Sequence, residues 1–108
     1  MNKIAQLNDN LRQNLLSPGK DRVFLTVGVS SLSVKNQMLL LNQVKNFNDF
    51  TPDNDVYGEH DFGKISLFDT DYFWKIDYYD TDCEYSSEDP SNPDITTRLL
   101  TIMRADEY

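Results

Sequence analysis

The residues best equipped for chemistry fall in one short stretch, DNDVYGEHD at 53–61. Asp53, Asp55, Glu59, His60 and Asp61 offer oxygen and nitrogen ligands for a divalent cation. The start of the stretch fits a calcium loop, with Asp53 at position 1, Asp55 at position 3 and Gly58 at the turn position 6. The fit fails at position 12, where Lys64 replaces the bidentate Glu, and Tyr57 sits where a short oxygen ligand is needed. Zinc is poorly served by one His and one distant Cys. The same residues suggest acid–base catalysis, since an imidazole titrates in the useful range and a carboxylate can orient it. Adjacent residues on an extended segment point to opposite sides, however, so Glu59 and Asp61 need not touch His60. No nucleophile has a recognisable setting, and Cys83 lies among acids, the wrong surroundings for a reactive thiolate. The competing reading is structural: Asp53, Asn54 and His60 hydrogen-bond the loop backbone and hold its turns.

A second kind of chemistry is electrostatic. Residues 49–94 hold 14 of the 18 acids and two bases, Lys64 and Lys75, a local net charge of −12. The other eight bases and four acids leave the rest of the chain at +4. So acidic a molecule repels nucleic acid, which is bound through Lys and Arg on phosphates. It attracts basic protein surfaces instead. On a strand, residues on one side repeat about every 6.6 Å. Asp69, Asp71, Phe73, Asp77 and Tyr79 share one side, with Asp80, Asp82 and Glu84 following in the next loop. Such an array suits the basic groove of a nucleic-acid-handling protein, with Phe73 and Tyr79 as apolar anchors. The mimicry is partial, because duplex DNA carries a charge about every 1.7 Å of axis. The plainer alternative is a solvated acidic face that confers solubility.

These groups need elements to position them. With 108 residues, the chain fits one domain and one core, residues 1–108. A hydrophobic content of 39% argues against global disorder. The longest apolar run, Met38–Leu41, is far short of the roughly 20 residues of a membrane helix. The N-terminus is polar and amphipathic, unlike a signal peptide. The lone Cys83 forms no internal disulfide, which fits a reducing, cytoplasmic compartment.

Helical spacing of Ile4, Leu7, Leu11 and Leu15 predicts a helix over 2–16, ended by Ser17-Pro18-Gly19. Residues 22–29 read as a strand, with Val23, Leu25, Val27 and Val29 on one face and Gly28 marking a bulge or a close approach. Ser33 caps a helix over 34–47 carrying Leu40, Val44 and Phe47. A loop covers 48–61, and strands at 62–68 and 72–79 flank a turn at Asp69-Thr70-Asp71. In the second of these strands Tyr72, Trp74, Ile76 and Tyr78 face the core. After a polar connector at 80–92, Asn92 and Pro93 start a last helix over 93–106, with Ile95, Leu99, Ile102 and Met103 inward. The expected fold is therefore α+β in the order α-β-α-β-β-α, a three-stranded, mostly antiparallel sheet with helices packed on one face.

The segments PDNDVYGEHDFG, YFWKIDYYD, SEDPSNP and TRLLTIMRADEY, with the leading helix IAQLNDNLR, resemble a family of small uncharacterised bacterial proteins classed as a domain of unknown function. The resemblance covers nearly the whole chain. It implies a setting on plasmids and other mobile elements and brings no catalytic residue. Charge and resemblance together lead to an expected non-enzymatic protein-binding module. Its expected target is a host defence complex that binds nucleic acid, inhibited in the anti-CRISPR or antirestriction manner. No cofactor, direct nucleic-acid contact or membrane contact is expected. The alternative is a small metal- or His-dependent enzyme built on the 53–61 loop.

Overall fold

The computed structural model describes residues 2–108. Three helices, α1 (Lys3–Gln13), the single turn α2 (Val27–Ser30) and α3 (Val34–Lys45), accompany four strands. The strands are β1 (Arg22–Leu25), β2 (Phe62–Leu67), β3 (Thr70–Tyr79) and β4 (Thr97–Arg104). They form one mixed sheet in the order β1-β4-β3-β2. β4 runs parallel to β1 and antiparallel to β3, and β2 is antiparallel to β3. The sheet is thus four-stranded and mixed, where three mostly antiparallel strands were expected, and the order of elements differs as well.

The main reason is β4. Helical spacing places Ile95, Leu99, Ile102 and Met103 on one side of a helix over 93–106. Only Pro93–Ile95 forms a helical turn, of the 3-10 kind, with the Asn92 side chain accepting from the Asp94 N–H at 3.0 Å. From Thr97 onward the chain is a central strand buried on both faces. A strand so placed carries a nearly continuous apolar run, which helical periodicity also fits. Two hydrogen-bonded neighbours decide between them.

The strand expected over 22–29 ends at Leu25 for a different reason. Val23 and Leu25 do pack against the core, but Thr26 starts the turn of α2, which exposes Val27 and buries Val29. The Glu107 carboxylate accepts from the Gly28 N–H at 2.7 Å and from the Thr26 hydroxyl at 2.7 Å. An anion at a helix N-terminus satisfies donors that have no partner within the helix. Gly28 marks a close approach, as a Cβ there would meet the Glu107 carboxylate. There is no bulge, since the strand has already ended.

Local chemistry agrees with the chain elsewhere. Asn2 caps α1 by accepting from the Ala5 N–H, and Ser33 caps α3 by accepting from the Asn36 N–H. α1 stops at Gln13 and α3 at Lys45, each short of its expected end. The β2–β3 hairpin turns on Phe68 and Asp69, one position earlier than expected, and both have φ of 57°. Positive φ at both central residues suits a two-residue hairpin turn.

The core lies on one face of the sheet. Trp74, Ile76, Leu100 and Ile102 pack there against Leu11, Val29, Leu40 and Val44 from the three helices. Tyr72, Trp74 and Ile76 are buried as their alternation predicts, and Tyr78 is half-buried at the edge. No helix among the described residues is long and apolar enough to cross a membrane.

Gly63 sits directly against the Trp74 indole, and a Cβ there would also stand 2.9 Å from the Phe47 ring. Rigid rings cannot give way as a flexible side chain would. Gly63→Ala is expected to cost about 1–3 kcal/mol through overpacking. Urea unfolding should show a lower midpoint at an unchanged slope.

Candidate functional site

The 53–61 loop does not gather its polar residues into one centre. Asp53 is exposed. The Asp55 carboxylate turns inward and accepts from the backbone N–H groups of Glu59 and His60 at 3.1 and 3.2 Å. Glu59 accepts from the Tyr78 hydroxyl at 2.9 Å. His60, at a φ of 56°, points the other way. Its Nδ1 lies 2.9 Å from Asp9 and its Nε2 3.6 Å from Asp55. Phe50 stacks flat on its ring at 3.9 Å. Asp61 binds through its backbone, its carbonyl accepting from the Ile76 N–H. Among the described residues, no three of the His, Cys, Asp and Glu side chains are grouped to hold a metal ion. Both nitrogens of His60 face carboxylates of the protein and one ring face is covered, so its geometry serves to close the loop.

Two arginines that sequence reasoning passed over organise this region. Arg12, 2% exposed, donates through Nη1 to the carbonyls of Val44, Lys45 and Phe47 at 2.8–3.1 Å. Those carbonyls lie at and just beyond the end of α3, where helix carbonyls run short of donors within the helix. Nη2 of Arg12 donates to Asp9 at 2.8 Å, and its guanidinium lies over the Phe50 and Trp74 rings. Burial lowers the Arg12 pKa, and Asp9 opposes the shift. Asp9 is shared with His60, giving a chain from α3 through Arg12 and Asp9 to the loop.

Arg98 is equally buried. Its Nε donates to Asn8 at 2.7 Å, Nη2 donates to the Pro90 carbonyl, and the guanidinium lies over the Tyr78 ring. Asn8 in turn donates to the Tyr78 hydroxyl and to the Glu59 carbonyl. Burial lowers the Arg98 pKa and raises that of Tyr78. A tyrosine so placed keeps its proton and works as a donor. The signal for this network was present: Asn8 and Arg12 fall with Ala5 and Leu11 on the buried side of α1, where polar residues need internal partners.

The expected partner-binding residues divide into three groups. Phe73, Asp77 and Tyr79 lie with Lys75 on the sheet face away from the helices. Asp69 and Asp71 stand at the hairpin end of β3, and Asp80, Asp82 and Glu84 at the other. At 3.3 Å per residue these clusters are about 30 Å apart. Asp71 is 3.6 Å from Lys64 and accepts from Ser66, and Asp77 is 3.0 Å from Lys75. Asp80 accepts from the Glu84 N–H and shapes its own loop. Asp69, Asp82 and Glu84 are exposed and form no ion pair among the described residues.

No α-helix covers this sheet face, although Thr101 and Met103 of β4 are buried on it. Cross-strand neighbours place Phe24, Thr101 and Lys75 in one row and Met103 beside Phe73. Phe62, Phe73 and Tyr108 form an aromatic cluster with centroids 5.1–6.1 Å apart. Phe24 remains 56% exposed and Tyr108 73%.

Fold and surface define a small α+β protein with a locked helical layer and an open sheet face. The chain belongs to the family described as Protein of unknown function (DUF3768), whose model matches residues 25–107. No curated protein and no solved structure matches it.

Two tests follow from the network. Arg12→Met leaves Asp9 with His60 alone and removes a donor from three carbonyls, and a loss of about 3–5 kcal/mol is expected in urea unfolding. Asp61 is half-buried, and desolvation, reinforced by Glu59, raises its pKa above 3.8. Its ionisation therefore opposes folding: the full contribution is present at low pH and is lost as pH rises through the raised value. Asp61→Asn should raise the melting temperature at about pH 7 and leave it nearly unchanged at about pH 3.

Proposed function

We propose that the protein is a non-enzymatic, cytoplasmic binding module whose open sheet face docks on a basic surface of another protein. The observation that carries this reading is the helix-free face of the four-stranded sheet, with exposed Phe24 and Tyr108 beside half-buried Phe73 and Tyr79 and with unpaired carboxylates at both ends of β3. Aromatic groups at a patch centre supply affinity, and charges at its rim supply orientation and association rate. The charge of −12 over residues 49–94 selects a basic partner and disfavours direct contact with nucleic acid.

The resemblance to proteins of mobile elements narrows the partner to a host defence complex that binds nucleic acid. The module then acts as an inhibitor of the anti-CRISPR or antirestriction kind. Its two carboxylate clusters, about 30 Å apart, are spaced nearer to one duplex turn than to successive phosphates, so it is a partial mimic.

Affinity capture from a bacterial lysate, eluted with rising salt, should release a basic nucleic-acid-binding protein. The purified target should lose DNA binding when the module is added. The triple variant Asp69→Lys, Asp82→Lys, Glu84→Lys should lose that inhibition while melting at the same temperature, because its sites are exposed. Equal inhibition by the folded variant would exclude an electrostatic contact through these acids.

A further inference from the structure

The helical layer offers a second surface of opposite character. Between α3 and the turn that follows α1 lies a groove of about 290 Å³, floored by Leu15 and Leu41, flanked by Leu16 and Met38, and rimmed by polar groups that include Gln13, Asn42 and Lys45. Leu16 is 70% exposed, Met38 47% and Val34 79%. Val34, Met38, Leu41 and Lys45 follow one another at intervals of four, three and four residues. They share one side of α3, on which Met38, Leu41 and Lys45 line the groove and exposed Val34 extends the apolar strip towards the helix start. Successive apolar groups on such a strip match the spacing of a second helix laid alongside.

Charge identifies what kind of helix. α3 contains Lys35 and Lys45 and no acid. The single acid of α1, Asp9, is already held by Arg12 and His60. Residues 2–48 carry six bases and two acids, a net +4, in a protein whose total is −8; Arg12 is buried against Asp9 and Arg22 lies on β1, so Lys35 and Lys45 are the charges of α3 itself. We propose that the α1–α3 groove binds an amphipathic helix of another protein, with apolar residues facing Met38 and Leu16 and carboxylates flanking them to meet Lys35 and Lys45. A second copy of this chain fits poorly. Two-fold pairing on this face would gather four lysines with no carboxylate to neutralise them. The chain's own acidic segment at 51–58, with its exposed Val56 and Tyr57, is a run of turns and presents no helical ridge. This surface lies on the opposite layer from the open sheet face and does not depend on what binds there.

The test uses the full chain and a fluorescein-labelled helical peptide of about 14 residues, with Leu at i, i+4, i+7 and i+11 and Glu on its flanks. A matched peptide carrying Lys for Glu is the control. Anisotropy should show saturable binding of the Glu peptide, at least about tenfold tighter than the Lys peptide. Met38→Glu and the double variant Lys35→Glu, Lys45→Glu should each weaken it by about tenfold or more. Both variants change exposed residues, and their melting temperatures verify folding. Lack of saturation up to about 1 mM, or equal binding of the two peptides, would overturn the proposal. So would a concentration-dependent dimer abolished by Met38→Glu, which assigns the groove to a second copy. Cosedimentation with anionic phosphatidylglycerol vesicles, lost in Met38→Glu, would assign it to a bilayer and overturn it equally.

Discussion

The burial of the Arg12 guanidinium is the constraint on which most of this structure depends. A cation withdrawn from water must recover what hydration supplied, through hydrogen bonds and an opposite charge. Arg12 does so with three carbonyls at the end of α3, one carboxylate on its own helix and two aromatic faces. Each partner is then fixed in turn. α3 must end where its carbonyls meet Nη1, Phe47 and Phe50 must stand beside Trp74, and Asp9 must sit where it also receives His60. The arrangement has a cost. Arg12 Nε and Trp74 Nε1 are buried without a hydrogen-bond partner, and each such orphan costs roughly 1–3 kcal/mol. The close seating of Trp74 on Gly63 shows how little room remains there for a water or an acceptor.

Arg98 repeats the principle with weaker partners. It is held by an amide oxygen, a carbonyl and the face of Tyr78, and no carboxylate hydrogen-bonds its side chain. Asp21 reaches only its backbone N–H. Asn8 is the junction, its Oδ1 accepting from Arg98 and its amide N–H groups donating to the Tyr78 hydroxyl and to the loop carbonyl of Glu59. Asn8, Asp9 and Arg12 all lie on α1, outside the region matched by the family model. Yet the groups they satisfy, namely His60, Tyr78, Arg98 and the end of α3, lie inside it. The matched region therefore carries buried polar groups whose partners come from the preceding helix, and α1 is an integral part of the folded unit.

Much of this was legible in the chain. Ser33 marked its helix start, and the alternation through Tyr72, Trp74 and Ile76 separated the two faces of β3, because one face of that strand is dry and the other wet. β4 was not legible. A strand dry on both sides loses the period-2 signal, and its Leu, Met and Arg residues are good helix formers. The turn of α2 was hidden because its N-terminal donors are satisfied by Glu107, some 80 positions away in sequence. The site followed the same division. The spacing in 53–61 could suggest a shared centre, but adjacent side chains leave to opposite sides, Glu59 to Tyr78 and His60 to Asp9. The two arginines were overlooked because a charged residue in an amphipathic pattern is ordinarily solvated, whereas these lie in the stripes that become core.

The element hardest to read is also the one that gives the protein its open surface. As a terminal helix, residues 93–106 would have added another layer to a three-stranded sheet. As the strand β4, they join β1 to β3 and extend the outer face by Leu99, Thr101 and Met103, between Phe24 on one side and Phe73 on the other. The helices all contribute to the core on the inner face, so no α-helix of the described chain covers the outer one, where Thr101 and Met103 are nonetheless buried and Tyr108 packs on Phe62 and Phe73. The acids of residues 69–84 frame that outer face, while the bases of α3 stand on the inner, helical layer. Since the fold is already secured by the buried arginine networks, the charged surface residues carry little of its stability. Their segregation onto two sides is better explained by what each side meets than by what holds the chain together.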